Sequence, residues 1–255
     1  MQRVVVKVGS AVLTQDGELA LERMQSLVDF LGELKEKYEV ILVSSGAVAA
    51  GYTKLKLDRT ILENKQALAA IGQPTLLKKY QKKFTKYNIV VAQVLVTAAN
   101  LNKSDDIQRV KNTIDILLKN SVLPIVNEND ATATDELELG DNDQLSAYIA
   151  KHTQADILII LSDIDAYYDN DPREFSDAKA LKIVKSIDDK ELKKEVAPHN
   201  IFATGGIVTK LKAAAYLLDA NIDMFLASGF DLNDVREFIL HSNHKGGTLF
   251  TKAQN

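Results

Sequence analysis

The chain of 255 residues contains no cysteine and only four prolines. Without cysteine, disulfides, thiolate metal sites and thiol nucleophiles are excluded. No stretch approaches the roughly 18 uninterrupted apolar residues of a membrane-spanning helix. The N-terminus also lacks the charged head and apolar stretch of a secretory signal. We therefore expect a cytoplasmic protein with no membrane partner.

Concentrated positive charge is missing as well, because 31 Lys and Arg residues are scattered among 35 Asp and Glu residues. Binding to nucleic acid or to an anionic membrane surface relies on gathered positive charge, so neither partner is expected. Core-forming material is abundant, since 46% of the residues are hydrophobic. That amount suffices for one large domain or two small ones, and no linker-like segment divides the chain.

Short β-branched runs alternate with longer segments of helical period, which is typical of parallel βαβ units with helices on both faces. We predict strands at 4–6, 40–43, 89–96, 123–126, 157–161 and 224–227. Apolar residues recur at three- and four-residue steps over 24–34 and 107–118, which predicts a helix at each. The segment AAIGQP at 69–74 predicts a helix that ends near Gly72 and a turn at Pro74.

Amide and carboxylate side chains are concentrated in NENDATATDELELGDNDQLSA at 127–148. This segment directly follows the strand predicted at 123–126, and α/β sheets bind ligands at the carboxyl ends of their strands. Stacked turns would also use Asn, Asp and Gly. The density of these side chains favours a site for a polar substrate or a metal–phosphate group. The candidate residues are Asn127, Asn129, Asp130, Asp141, Asn142 and Asp143.

Three clusters of small residues each precede a predicted helix. KVGS at 7–10 joins a lysine to a glycine near which backbone amides can approach a phosphate, although an ordinary βα turn looks the same. SSGAVAAG at 44–51 suits either a carboxylate seat or a plain serine cap. ATGGIVTKLKAA at 203–214 places two glycines ahead of Lys210, as in a phosphate clamp or a common surface helix.

Lys7 and Lys210 together, with no histidine base, suit phosphoryl transfer, in which positioning and charge neutralisation supply most of the catalysis. Neither a P-loop pattern nor a well-placed GxGxxG occurs, so a nucleotide must be held in another way. The segment SDIDAYYDNDP at 162–172 adds Ser162 and Asp163 to the polar groups at predicted strand ends.

From VVVKVGSAVLT at 4–14 to GGTLF at 246–250, the chain resembles the amino acid kinase family, and within it the glutamate 5-kinases. NENDA followed by GDND carries most of this resemblance, and SSGAVAAG, AAIGQP and TGGIVTKLKAA occur in the matching order. The implied fold is α/β, a three-layer αβα sandwich with an open, mainly parallel sheet of about eight strands. The implied organisation is a single domain over 1–255, with 1–150 binding the amino acid and 151–255 the nucleotide.

The resemblance implies ATP-dependent phosphorylation of the γ-carboxylate of L-glutamate to L-glutamyl 5-phosphate, the first step of proline biosynthesis. The implied cofactors are ATP and Mg²⁺, without an assigned protein metal site. The implied partners are L-glutamate, proline as a feedback inhibitor, and copies of the chain in a dimer or tetramer. Another phosphotransferase of the family, or a catalytically silent protein that senses glutamate or proline, is the alternative. A C-terminal PUA module of many relatives is expected to be absent.

The resemblance also implies roles for individual residues. Lys7 and Lys210 would stabilise the transferring phosphoryl group, and Asp143 would orient them. The residues that would bind glutamate are Ser45, Asp130 and Asn142. Those that would bind the nucleotide are Gly9, Ser162, Asp163, Thr204, Gly205, Gly206, Ile207, Val208, Thr209 and Lys210. Ala166 and Ala203 replace frequent glycines, and alanine costs roughly 1 kcal/mol where φ must be positive.

Overall fold

The computed structural model describes residues 2–101, 103–132, 142–193 and 206–253. The strands are β1 (Arg3–Val8), β2 (Thr14–Gln15), β3 (Glu18–Leu19), β4 (Glu39–Ser44), β5 (Val91–Val96), β6 (Leu123–Glu128), β7 (Ile157–Ser162), β8 (Ile183–Val184), β9 (Asp223–Ser228) and β10 (Thr248–Phe250). The helices are α1 (Ser10–Leu13), α2 (Leu21–Lys35), α3 (Ala47–Tyr52), α4 (Leu62–Phe84), α5 (Ala98–Leu101), α6 (Ser104–Lys119), α7 (Asn142–His152), α8 (Asp189–Leu192), α9 (Ile207–Asp219) and α10 (Asn233–His241).

Eight of these strands form one sheet in the order β5-β6-β4-β1-β7-β9-β10-β8, and β2 and β3 form a separate hairpin. Within the described residues of this sheet, only the β9–β10 pair is antiparallel. All six predicted strands are present, with ends that differ by a few residues. The α/β fold with a mainly parallel sheet of eight strands is therefore confirmed.

Helices cover both faces of the sheet, which makes the predicted αβα sandwich. Along β1, Val4 and Val6 point into the core formed with α2 and α4. Val5 points into the opposite core, which includes residues of α7 and α9. Side chains alternate between the faces of a strand, so Lys7 shares the face of Val5 and extends toward α7 and α9.

Helix α4 departs from the sequence prediction, because it continues through Gly72 and Pro74 to Phe84. The prediction of a helix end near Gly72 was therefore wrong. A Cβ atom at Gly72 would clash with the carbonyl oxygen of Ala47, and one at Gly51 would clash with the carbonyl of Leu68. The two glycines thus allow α3 and α4 to pack closely, and this tertiary packing outweighs the local signal for a helix end.

Candidate active site

The carboxyl ends of four neighbouring strands meet at one edge of the sheet. Strands β6, β4, β1 and β7 are adjacent and parallel, so their carboxyl ends point the same way. Ligands of open α/β sheets bind outside such ends. Lys7 lies near the end of β1, Ser45 directly follows β4, and Asn127 and Ser162 lie at the ends of β6 and β7.

A buried group of three charges lies beside this edge. Asp143 is the second residue of α7, and its side chain lies between Lys7 and Lys210. The Nζ atom of Lys7 is 2.5 Å from Oδ1 of Asp143, and that of Lys210 is 3.1 Å from Oδ2. The three side chains are at most 4% exposed. The structure therefore brings together the three residues that the resemblance implies as catalytic.

The two lysines keep Asp143 ionised. Burial alone would raise the pKa of this carboxyl, but the positive charges of Lys7 and Lys210 outweigh that effect. Hydrogen bonds from Lys7 and Thr209 lower the pKa of Asp143 further, and Thr209 Oγ1 donates to Oδ2 at 2.8 Å. The carboxylate is charged at neutral pH and holds two ammonium groups within reach of one another.

The first turns of α7 and α9 are tied together beside these charges. Gln144 on α7 donates from Nε2 to the carbonyl oxygen of Thr209 on α9, at 3.1 Å. Open backbone N–H groups at helix N-termini favour anions, which suits a nucleotide phosphate near α9. Gly206, Ile207, Val208 and Thr209 form the start of α9 with Lys210, whereas Thr204, Gly205 and Ala203 lie outside the described residues.

A chain of side-chain amides joins two of the implied glutamate-binding residues. Asn142 donates from Nδ2 to Oγ of Ser45 at 2.8 Å and to Oδ1 of Asn127 at 3.0 Å. Asn127 in turn donates from Nδ2 to Oε1 of Gln73 on α4, at 3.0 Å. The structure therefore links Ser45 and Asn142 directly, and it adds Asn127 and Gln73 to the site.

Asp130 lies in a cavity of about 170 Å³ between α4, β5 and the end of β6. Burial raises the pKa of Asp130 to about 6, and the negative charge of Glu128 contributes. Burial also raises the pKa of Glu128. A cationic group entering the cavity would favour the ionised carboxylates, so the cavity suits an ammonium group. Its lining residues are Ala69, Ala70, Gln73, Pro74, Gln93, Leu95, Glu128, Asn129, Asp130 and Ala131.

The implied nucleotide-binding residues at the sheet edge are partly engaged within the protein. Ser162 is buried and donates from Oγ to Oδ1 of exposed Asp163, at 2.9 Å. The N–H of Gly9 donates to the carbonyl oxygen of Leu161 at 3.0 Å, so this amide is already paired. Ala166 is not among the described residues with positive φ, so the penalty considered for alanine there does not arise.

Residues 2–228 match the family model described as the amino acid kinase family. The chain belongs to the amino acid kinase family. A glutamate 5-kinase of Wolinella succinogenes is 52% identical to it, over 99% of each chain. A glutamate 5-kinase of Leishmania donovani is 48% identical, over 98% of this chain and 95% of the relative. The resemblance to glutamate 5-kinases drawn from the sequence motifs is confirmed.

Solved structures of other family members share the fold. The carbamate kinase from Giardia lamblia, bound to AMP-PNP, superposes with a TM-score of 0.66 over 99% of each chain, at 18% identity. An isopentenyl phosphate kinase of T. acidophilum reaches 0.68 over 98% of this chain and all of that chain, at 15% identity. At such low identity, the likeness establishes the αβα architecture alone.

Mg²⁺ usually binds to phosphate oxygens and water together with one or two carboxylates. Among the described residues, no three His, Cys, Asp or Glu side chains gather as candidate metal ligands. A metal ion that arrives with the nucleotide does not need such a cluster, so these residues fit a magnesium–nucleotide complex. Within the same part of the chain, no helix is long and apolar enough to cross a membrane.

The sequence patterns missed one residue of the site and the role of another. Gln73 has no catalytic signature and follows a glycine that seemed to mark a helix end. Thr209 was placed with the nucleotide segment, and the structure shows that its hydroxyl also supports Asp143. The occurrence of Gln73 directly before a proline inside a family motif was the one available signal.

Proposed function

We propose that the chain transfers the γ-phosphoryl group of ATP to the γ-carboxylate of L-glutamate, giving L-glutamyl 5-phosphate and ADP. The observation that carries this proposal is the buried contact of both Lys7 and Lys210 with Asp143. Relatives named glutamate 5-kinase, similar over nearly the whole chain, support glutamate as the acceptor. The product would enter proline biosynthesis as its first intermediate.

The chemistry requires charge neutralisation more than proton transfer. A glutamate side chain has a pKa of about 4.3, so its carboxylate is ionised at neutral pH and needs no general base. The barrier lies in bringing this anion against the triphosphate. Lys7 and Lys210 would neutralise charge on the transferring phosphoryl group, as preorganised cations do in such transition states. Asp143 would keep both ammonium groups in place without touching the substrate.

The amino acid would be held by Ser45, Asn142 and Asp130. Ser45 and Asn142 are hydrogen-bonded to each other, which presents a hydroxyl and an amide side by side. The carboxylate of Asp130 would face the α-ammonium group, since its cavity favours a cation. The same preference would suit the ammonium group of proline, so we extend the proposal to proline as a feedback inhibitor.

The nucleotide would occupy the part of the edge formed by residues 151–255, and the amino acid the part formed by 1–150. Ser162, Asp163 and the start of α9 from Gly206 to Lys210 would contact ATP, together with Gly9. Mg²⁺, bound to the phosphates, would screen their negative charge. The sheet runs without interruption through both parts, which supports a single domain. Family resemblance adds a dimer or tetramer to the proposal.

A coupled ADP-release assay with magnesium and ATP, in the presence and absence of L-glutamate, tests this function. We expect ADP release that depends on glutamate, with little from L-aspartate, N-acetyl-L-glutamate, carbamate or UMP. Phosphorylation of one of these acceptors without any of glutamate would indicate another phosphotransferase of the family. Glutamate binding in calorimetry without turnover would instead indicate the silent sensing protein.

A further inference from the structure

Gln73 on α4 is a buried polar residue with no role in the reaction outlined above. Its side chain is 9% exposed, and its Oε1 accepts the hydrogen bond from Nδ2 of Asn127. Asn127 itself is 2% exposed. A buried amide pair of this kind needs a structural or functional reason, because each polar group must recover the hydrogen bonds that it loses from water.

The hydrogen bonds from Gln73 to Asn142 run in one direction. An amide donates only through nitrogen and accepts only through oxygen. Because Gln73 offers its oxygen, Asn127 must turn its nitrogen toward α4 and its oxygen toward Asn142. Asn142 must then turn its nitrogen toward Asn127, and the same nitrogen donates to Ser45. We call this series, Gln73–Asn127–Asn142, the amide relay.

The relay determines what Asn142 can offer to a ligand. Both hydrogens of its amide nitrogen are donated within the protein, one to Asn127 and one to Ser45. The carbonyl oxygen Oδ1 is the remaining polar atom of this side chain, so Asn142 presents an acceptor. If Asn127 turned over, oxygen would face oxygen at Gln73 and nitrogen would face nitrogen at Asn142, and both bonds would be lost.

Helix α4 is a rigid support for the relay. It packs closely on α3, where Gly51 and Gly72 leave no room for a Cβ atom. Two turns beyond Gln73, the buried hydroxyl of Tyr80 lies 2.8 Å from Oγ of Ser44, at the end of β4 next to Ser45. Thus α4 contacts the glutamate-binding edge at two separate points.

We propose that Gln73 is a positioning residue for the acceptor amino acid. By fixing the amide of Asn127, it holds Asn142 with its carbonyl oxygen toward the ligand, and it acts without touching substrate itself. This inference rests on the proposed phosphorylation of glutamate and adds to it a determinant of glutamate affinity that lies outside the implied substrate-binding residues.

The test replaces Gln73 with methionine, which keeps the length of the side chain and removes its acceptor. We expect the KM for glutamate to rise about five- to tenfold, as for the loss of one buried hydrogen bond, with the KM for ATP unchanged. Asn127→Leu breaks the relay at its next link, and we expect a rise at least as large. Phe84→Leu is the matched control, because Phe84 is buried on the same helix three turns away.

A second background separates positioning from general loss of structure. If Gln73 acts through Asn142, then Gln73→Met should cause no further rise in the KM for glutamate when Asn142→Ala is already present. The proposal is overturned if Gln73→Met and Asn127→Leu leave this KM unchanged. It is equally overturned if the effects of Gln73→Met and Asn142→Ala multiply, or if the KM values for glutamate and ATP rise together as stability falls.

The same variants distinguish failure of this inference from failure of the proposed function. If the wild-type protein binds glutamate without turnover, the proposed reaction fails, and the dissociation constant from calorimetry replaces KM in every comparison above. If the wild-type protein turns over glutamate and the variants match it, only the relay fails. Absence of both binding and turnover in the wild-type protein rejects both proposals.

Discussion

Asp143 and Asp130 are two buried aspartates in opposite electrostatic surroundings. Asp143 lies between the ammonium groups of Lys7 and Lys210, and its pKa is lowered despite burial. Asp130 lies in a cavity beside Glu128, and burial together with that negative charge raises its pKa to about 6. One carboxylate has its cations within the protein, whereas the other has a like charge for a neighbour.

This difference indicates separate tasks for the two carboxylates. A buried carboxylate between cations is stabilised in one charge state and serves as a fixed anchor. A buried carboxylate beside another acid costs free energy when ionised, and such perturbed groups cluster at binding sites where a ligand supplies the missing charge. Asp143 therefore fits the part that organises phosphoryl transfer, and Asp130 fits the part that receives an ammonium group.

Replacing Asp143 with asparagine breaks the comparison at its more stable member, and we expect the largest effect of all. The change leaves two buried ammonium groups without their carboxylate, which typically costs about 3–5 kcal/mol of the free energy of unfolding. Urea denaturation measures this loss, and turnover should disappear with it. Asp29→Asn is the control, since its ion pair with Lys86 is at the surface and is worth less than about 1 kcal/mol. An Asp143→Asn protein with the wild-type urea midpoint would contradict the anchor.

Replacing Lys210 with alanine removes one of the cations and should act mainly on the chemical step. We expect kcat to fall about 10²- to 10³-fold, as when one preorganised donor to a developing charge is lost, while the KM for glutamate changes little. Steady-state kinetics with both substrates varied provides the measurement. Lys212→Ala is the control, because Lys212 is exposed on the same helix. Full turnover in the Lys210→Ala protein would remove Lys210 from the mechanism.

The anchor side of this comparison was accessible from the sequence. Lys7, Asp143 and Lys210 each follow a strand pattern within a recognisable motif, and parallel strands place such positions at one edge. Hydrophobic periodicity also predicted α2 and α6 and the six strands of the sheet that carry them. The direct contacts with Asp143 required coordinates, because spacing along the chain does not determine which side chains meet.

The receiving side was much less accessible. Gly72 and Pro74 are local signals for a helix end, and close packing of α4 against α3 overrides them. Because that continuous helix carries Gln73 to Asn127, the amide relay was not predictable from local pattern. The raised pKa of Asp130 likewise depends on burial and on Glu128, which become known only with the cavity.

Replacing Asp130 with asparagine should stabilise the protein at neutral pH while weakening glutamate binding. The pKa of this carboxyl is 3.8 as a model value and about 6 in the fold, so the folded state holds the proton more tightly. The stabilisation from that proton is present at low pH and is lost as the pH rises through about 6. Relative to wild type, Asp130→Asn should therefore gain on the order of 1–2 kcal/mol between pH 4 and pH 7.

Urea midpoints at several pH values across this range measure the gain, and the KM for glutamate measures the loss of affinity. Asp177→Asn, at an exposed position, is the control and should follow the wild-type protein at every pH. A midpoint for Asp130→Asn that falls relative to wild type as the pH rises would have the wrong sign. It would show that Asp130 is stabilised in its ionised form, as Asp143 is.

Replacing Glu128 with glutamine sharpens the comparison with the smallest expected effect. Burial is the larger cause of the raised pKa of Asp130, and the charge of Glu128 is the lesser one, so its removal should lower that pKa only in part. The acidic limb of kcat/KM for glutamate reports the pKa of groups in the free enzyme, and it should move to lower pH. Glu174→Gln, at an exposed position, should leave the limb in place. A limb that stays fixed in the Glu128→Gln protein would assign it to another group and separate Asp130 from the binding of the acceptor.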